Sequence, residues 1–168
     1  VEIDMPRIRI VKFQEATDFS GGAEKIMAGV LSRMSGGIGG MLLILMDKEF
    51  VNTLVKVFFN REVNGLLNLD ETIISALSEV GNILCGAYVS AISQLTGIDV
   101  KLESPCFQVD MAGALMSVPV IEFGEVGDKI LFIDKRLVID GQVMNAEIFL
   151  IPTIDSLEKI MKELGIEV

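Results

Sequence analysis

Hydrophobic and polar positions along the chain fall into patterns of two periods. From Arg7 to Phe13 polar and apolar residues alternate, the period of a half-buried strand. Ile26 to Met34 and Gly40 to Met46 are mostly apolar, lie on either side of Ser35-Gly36-Gly37-Ile38-Gly39, and predict a hairpin. Asp47 stands where an N-cap belongs, before a helix to about Phe59. Asn60 to Leu69, with Asn64-Gly65, reads as a linker. Asp70 to about Thr96 carries apolar residues at helical spacing, with Gly97 as its stop. Lys129 to Val138 and Val143 to Ile151 predict a second hairpin around Asp140-Gly141. Asp155 with Glu158 predicts a capping box for a last helix.

Short stretches recur in the same order. Val1-Glu2-Ile3-Asp4-Met5-Pro6 matches Val100-Lys101-Leu102-Glu103-Ser104-Pro105 in its apolar, charged and proline positions. Leu42-Leu43-Ile44-Leu45 matches Ile148-Phe149-Leu150-Ile151. In the helices that follow, Val51, Leu54 and Phe58 match Leu157, Ile160 and Leu164. The chain therefore reads as a single domain made by duplication: repeat one over 1–60, a linker over 61–69 and repeat two over 70–168. Repeat two opens with the long helix, whereas repeat one opens at its strand, so the symmetry predicts a further helix before Val1. An apolar side left open there favours self-association. The expected fold is α+β: two pseudo-symmetric repeats whose strands share one sheet, with the long helices packed on a face.

Composition narrows the function. The 168 residues suit one domain on a prior of ~150 residues per domain. With 51% hydrophobic and 23% charged residues the chain is a compact globular one. The absence of histidine excludes Ser-His-Asp and Cys-His nucleophiles and histidine-ligated metals. A net charge of -10 argues against a nucleic-acid partner. Mean hydropathy is +0.54, yet the longest apolar stretch, Gly37 to Met46, is shorter than the ~20 residues of a membrane helix, so no membrane insertion is expected. Val1-Glu2-Ile3-Asp4 does not read as a secretory leader. Cys85 and Cys106 read as reduced, partly buried thiols of a cytoplasmic protein. The glycines at 36, 37 and 39 lack a following Gly-Lys-Ser/Thr and suit a turn better than a phosphate loop.

The helix from Asp70 sorts by angle at about 100° per residue. Ile73, Leu77, Val80, Leu84, Tyr88 and Leu95 form a core face. Ser75, Glu79, Asn82, Gly86, Ser90 and Ser93 form a small, polar face opposite. Glu79 and Asn82 stand one turn apart, roughly 5–6 Å at Cβ. Gly86 on that face costs the helix ~1 kcal/mol against Ala, which suits a partner approaching the backbone; Gly81 faces the core and suits close packing. An isolated Glu-x-x-Asn on a helix is usually a solvated face. The larger pattern is more specific: Ser75-x3-Glu79-x2-Asn82-x22-Pro105.

With this spacing the chain resembles the CheC/CheX/FliY family of chemotaxis phosphatases, whose signature is Asp/Ser-x3-Glu-x2-Asn-x22-Pro. Glu79-Val80-Gly81-Asn82-Ile83-Leu84-Cys85-Gly86 and Val109-Asp110-Met111-Ala112-Gly113-Ala114 look most like CheC. CheC members usually carry two signatures, and the first would lie before Val1. The resemblance implies hydrolysis of the aspartyl phosphate of CheY, with Asn82 holding the attacking water and Glu79 pairing with a lysine of the receiver domain. Ser75 would assist docking, or be an ordinary surface serine, and Pro105 would fix the chain after the strand that follows the helix. No cofactor of its own is implied; a magnesium ion belongs to the receiver. The resemblance also implies docking of the receptor deamidase CheD at Asp110 and Met111. Capping of a short helix through Leu115 is the structural alternative for Asp110, and core packing that for Met111, Leu115 and Met116. A non-catalytic CheD-binding adaptor or a motor-switch module of the same fold is the competing reading.

Overall fold

The computed structural model describes residues 2–3, 7–124 and 126–167. β1 (Glu2–Ile3) and β2 (Arg7–Lys12) lead into a 3-10 turn and a one-turn helix, α1 (Ala16–Phe19). β3 (Ile26–Gly36) and β4 (Gly40–Met46) form the predicted hairpin, with Ala28 opposite Met46 and Met34 opposite Gly40. Its glycines answer to backbone crowding. Gly40 has φ +141°, and a Cβ there would lie 2.3 Å from the Ile151 carbonyl oxygen; one on Gly37 would lie 2.3 Å from Ile98 Cγ2.

Asp47 caps α2 (Lys48–Phe59), its carboxylate accepting from the Phe50 N–H at 2.8 Å. Asp70 caps α3 (Glu71–Thr96) in the same way, accepting from the Ile73 N–H at 3.0 Å. The Arg61 guanidinium bonded to Asp70 holds its carboxyl below the usual carboxylate range. Gly97 ends α3 with φ 71°. By length and composition α3 could cross a membrane; in this fold one side of it packs on the sheet. β5 (Val100–Leu102), β6 (Cys106–Met111) and α4 (Ala112–Phe123) follow. β7 (Lys129–Ile139) and β8 (Gln142–Pro152) make the second hairpin, turning through positive φ at Asp140 and Gly141.

The last helix, α5 (Ile154–Glu163), starts earlier than the capping box predicts. Its N-cap is Thr153, and Asp155 already lies in the first turn. The chain leaves β8 at Pro152 in extended conformation, so the helix begins at once. Ser156, where a capping reading has no use for it, accepts from the Gly39 N–H at 2.8 Å and from the Thr153 hydroxyl at 3.0 Å. That ties α5 to the first hairpin turn.

The described strands form one sheet in the order β1-β7-β8-β4-β3-β5, with β2 also on β7 and β6 also on β3. The order reads alike from either edge when β1 and β2 are set against β5 and β6. Leu43 faces Phe149 across the central β4–β8 pair. These two also occupy the same place in the recurring tetrapeptides, so the sequence match and the strand register share one centre. Most of the Val1 to Pro6 match, and any helix before Val1, lie outside the described residues.

Side chains alternate between two cores. On one face Val30, Ile44 and Ile148 pack with Leu54 of α2, Leu77 and Tyr88 of α3 and Ile160 of α5. Ile8 and Ile10 of β2 are half-buried against that core. On the other face Leu43, Leu45, Phe132 and Phe149 pack with Ala16 of α1 and Leu115 and Met116 of α4. The long helices α2, α3 and α5 do share one face. The opposite cover is α4, longer than the predicted short helix through Leu115.

Candidate functional site

α3 presents the signature. The helix meets the sheet closely at Gly81, where a Cβ would fall 2.5–2.9 Å from Val30 side-chain atoms. Close packing therefore accounts for Gly81, as its position on the helix predicts. Ser75, Glu79, Asn82, Gly86 and Ser90 are exposed and Ser93 is half-buried. Around a Cβ on Gly86 there is open space to 4 Å. The side chains of Glu79 and Asn82 take part in no hydrogen bond or ion pair among the described residues. Both keep their full bonding capacity for something outside the fold. Ile83, 57% exposed, stands within the same stripe and is a functional candidate that apolar periodicity alone does not flag.

Ile73, Leu77, Leu84 and Tyr88 are buried as predicted, and Val80 is half-buried. Leu95 corrects the prediction: it is 56% exposed. The reason is a difference in helix length. The 12 residues of α2 flank only the first part of the 26-residue α3, sharing a groove lined by Leu54, Phe58, Ile73, Leu77 and Val80. Beyond that flank the angle that buries Leu77 leaves Leu95 in solvent. Of the two thiols expected to be partly buried, Cys85 is buried and Cys106 exposed; both are free. Burial pushes the Cys85 thiol up to about 12, so beneath the stripe it is protonated and no nucleophile. Burial likewise pushes up the Tyr88 phenol.

Pro105 lies half-buried in the turn between β5 and β6. Ser32, buried on β3, donates its hydroxyl to the Glu103 carbonyl at 2.7 Å, and the Glu103 N–H donates to the Arg33 carbonyl at 3.0 Å. Arg33 pairs with Glu103 at 3.8 Å and with Glu122 of α4. The proline thus sits in a tethered turn, which suits the structural role expected of it.

Asp110 and Met111 sit at the β6–α4 junction, where the chain crosses to the other face of the sheet. Asp110 does not cap α4. It ends up in β6, and its carboxylate accepts from the adjacent Met111 N–H at 2.8 Å. Met111 is the N-cap residue, without a side-chain bond. The Gly113 and Ala112 N–H groups are instead taken by the Ala23 and Lys25 carbonyls at 2.8 Å, so tertiary partners replace the cap. Asp110 is exposed and Met111 is 43% exposed, beside Ile26 in the β3–β6 register. Leu115 and Met116 are core residues. The structure therefore groups Ser75, Glu79 and Asn82 on one stripe and keeps Asp110 and Met111 apart from it. Among the described residues no cluster of side chains could hold a metal ion.

A small-molecule enzyme encloses its substrate in a concave site. Here a carboxylate and an amide stand on an open, convex helix face with a small-residue track beside them. Such a face leaves both polar groups reachable from outside the fold. The CheC-like family matches residues 73–107, the span from α3 to the start of β6. The CheY-P phosphatase CheC of Bacillus subtilis is 31% identical over 98% of this chain and 81% of its own length. The chain belongs to the CheC family. Its fold is also that of Thermotoga maritima FliY, with TM-score 0.66 at 19% identity over 98% of this chain and 81% of that one. The FliM middle domain from H. pylori has TM-score 0.62 at 10% identity over 96% and 81%.

Proposed function

We propose that this chain is a protein-aspartyl phosphatase acting on phosphorylated CheY in chemotaxis. The observation that carries the reading is the Glu79–Asn82 pair: exposed, with side chains unpartnered among the described residues, one turn apart on a helix within the span that matches the family. Hydrolysis of a phosphoryl group needs an in-line water and charge neutralisation, and little covalent help. The receiver domain meets the charge with its own magnesium ion and lysine. What remains is to hold the water. The Asn82 amide both donates and accepts hydrogen bonds, so it can orient a water without bringing negative charge to the phosphoryl group. Its rigid helix turns that into a positional advantage. Glu79, at the centre of the exposed face, pairs with the receiver lysine, and Ser75 lies one turn earlier on the docking track. Pro105 keeps the β5–β6 turn in place.

Asp110 and Met111 form a second surface, suited to CheD, with Ile26 as apolar neighbour. Both surfaces fit a cytoplasmic signalling protein. The test is loss of phosphate from phosphorylated CheY with and without this chain, at several receiver concentrations. Acceleration that saturates with receiver supports the phosphatase reading. No acceleration, with CheD still bound, leaves the chain as an adaptor of the same fold.

A further inference from the structure

α3 touches β3 more closely at Gly81 than a side chain would allow. A Cβ there would lie 2.5 Å from Val30 Cγ2, 2.7 Å from Cγ1 and 2.9 Å from Cβ. Val30 cannot easily give way. It is 0% exposed in the middle of β3, paired with Ile44 of β4 on one side and Phe107 of β6 on the other. A valine is also stiff at χ1. The contact therefore behaves as a fixed seat.

Gly81 stands between Glu79 and Asn82 in the chain. At about 100° per residue, Asn82 lies on one flank of α3 and Val80 on the other, while Glu79 lies nearly opposite the contact. The Val80 flank is taken by α2, with Phe58 across a narrow groove. The Asn82 flank is the one left open. Rolling α3 by a few tens of degrees would carry Asn82 towards the sheet or away from it. Glu79, at the crest, would stay exposed throughout. The two functional side chains thus differ in how strongly they depend on the seat.

We propose that Gly81, seated on Val30, is a positioning residue that sets the roll of α3 and so aims the Asn82 amide at the water attacking the aspartyl phosphate. The inference rests on the phosphatase reading above and adds the packing that makes it work.

The experiment measures kcat and KM for dephosphorylation of phosphorylated CheY by the unmodified chain, Asn82→Ala, Gly81→Ala, Val30→Ala and the Val30→Ala/Gly81→Ala double variant. Folding is checked for each by circular dichroism. Gly81→Ala lowers kcat about tenfold or more while KM stays within about twofold, since Glu79 still docks the receiver. The double variant removes the two valine methyls at 2.5 and 2.7 Å and keeps the Val30 Cβ at 2.9 Å, so it recovers a large part of the kcat that the single variant loses, about threefold or more. A folded Gly81→Ala with full kcat overturns the inference, and so does a folded double variant as impaired as the single one. If Gly81→Ala alone does not fold, the double variant decides: a kcat well above that of Asn82→Ala supports the seat, and a kcat no higher than that of Asn82→Ala, or failure to fold, overturns it. No turnover by the unmodified chain overturns the phosphatase reading and this inference together; full turnover by Asn82→Ala removes Asn82 from the mechanism and overturns this inference while the phosphatase reading stands. An inactive Asn82→Ala beside a fully active Gly81→Ala overturns this inference alone.

Discussion

α3 and α4 pack on opposite faces of the same sheet, and they turn different chemistry outward. α3 buries Leu77, Leu84 and Tyr88 and exposes Ser75, Glu79 and Asn82. α4 buries Leu115 and Met116 and carries no charged residue before Glu122. Its outer side presents Ile121, 77% exposed, with Ala114 and Ser117 half-buried. A polar stripe on a long, seated helix holds hydrogen-bonding groups at a set height and spacing. An apolar outer side gains free energy only when another surface covers it. The sheet between them keeps the polar stripe of α3 and the exposed Ile121 of α4 on opposite sides of one small domain.

The contrast can be broken most strongly from the α4 side. Leu115 is buried to 1% exposure, with its Cδ1 only 3.0 Å from where a Cβ on Gly29 would be. Leu115→Ala is expected to cost about 2–5 kcal/mol in chemical denaturation. A cost well under 1 kcal/mol would mean that α4 is not anchored as described. On α3 the corresponding effect is on rate and not on stability. Asn82→Ala should lower the dephosphorylation of CheY about a hundredfold with an unchanged melting temperature, because the side chain is exposed and makes no hydrogen bond among the described residues. Full activity in that variant removes Asn82 from the mechanism.

Glu79→Lys comes next. It sets like charges against each other and should weaken receiver binding about tenfold, with Glu79→Ala weaker in effect and less sensitive to salt. Unchanged affinity in both variants rules the lysine pairing out. Gly86→Ala should stabilise α3 by ~1 kcal/mol, since the new methyl meets open space. A simultaneous drop in receiver affinity would place the partner against the helix backbone at that point. The smallest effect on stability is that of Ile121→Ser, within about 0.5 kcal/mol by thermal melting. If the outer side of α4 belongs to the CheD surface, that same variant weakens CheD binding; unchanged CheD binding confines the surface to Asp110 and Met111.

Much of the architecture was legible along the chain because its signals are local. The caps Asp47 and Asp70, the stop at Gly97 and the Asp140-Gly141 turn depend on bonds or dihedrals within a few residues. The Glu79–Asn82 stripe followed from helical angle alone, and the seat at Gly81 from its place on the core face. What failed was of a different kind. Asp110 looked like a cap, but the Ala23 and Lys25 carbonyls, more than eighty residues away, satisfy the start of α4. Leu95 has a core angle, yet α2 ends before reaching it.

The sequence by itself determined the two hairpins, the long helix, the spacing of Glu79, Asn82 and Pro105, and hence the family. Periodicity, capping and turn chemistry act over one or two helical turns, and they can be read without knowing the neighbours. Only the tertiary structure decided that α4 covers the far face of the sheet, that α2 occupies one flank of α3 and leaves Asn82 exposed, and that Val30 lies directly against Gly81. Those outcomes depend on which distant surface reaches a given face first and how closely it can pack, and the nearest Cβ in space is set by residues that no local pattern in the chain brings together.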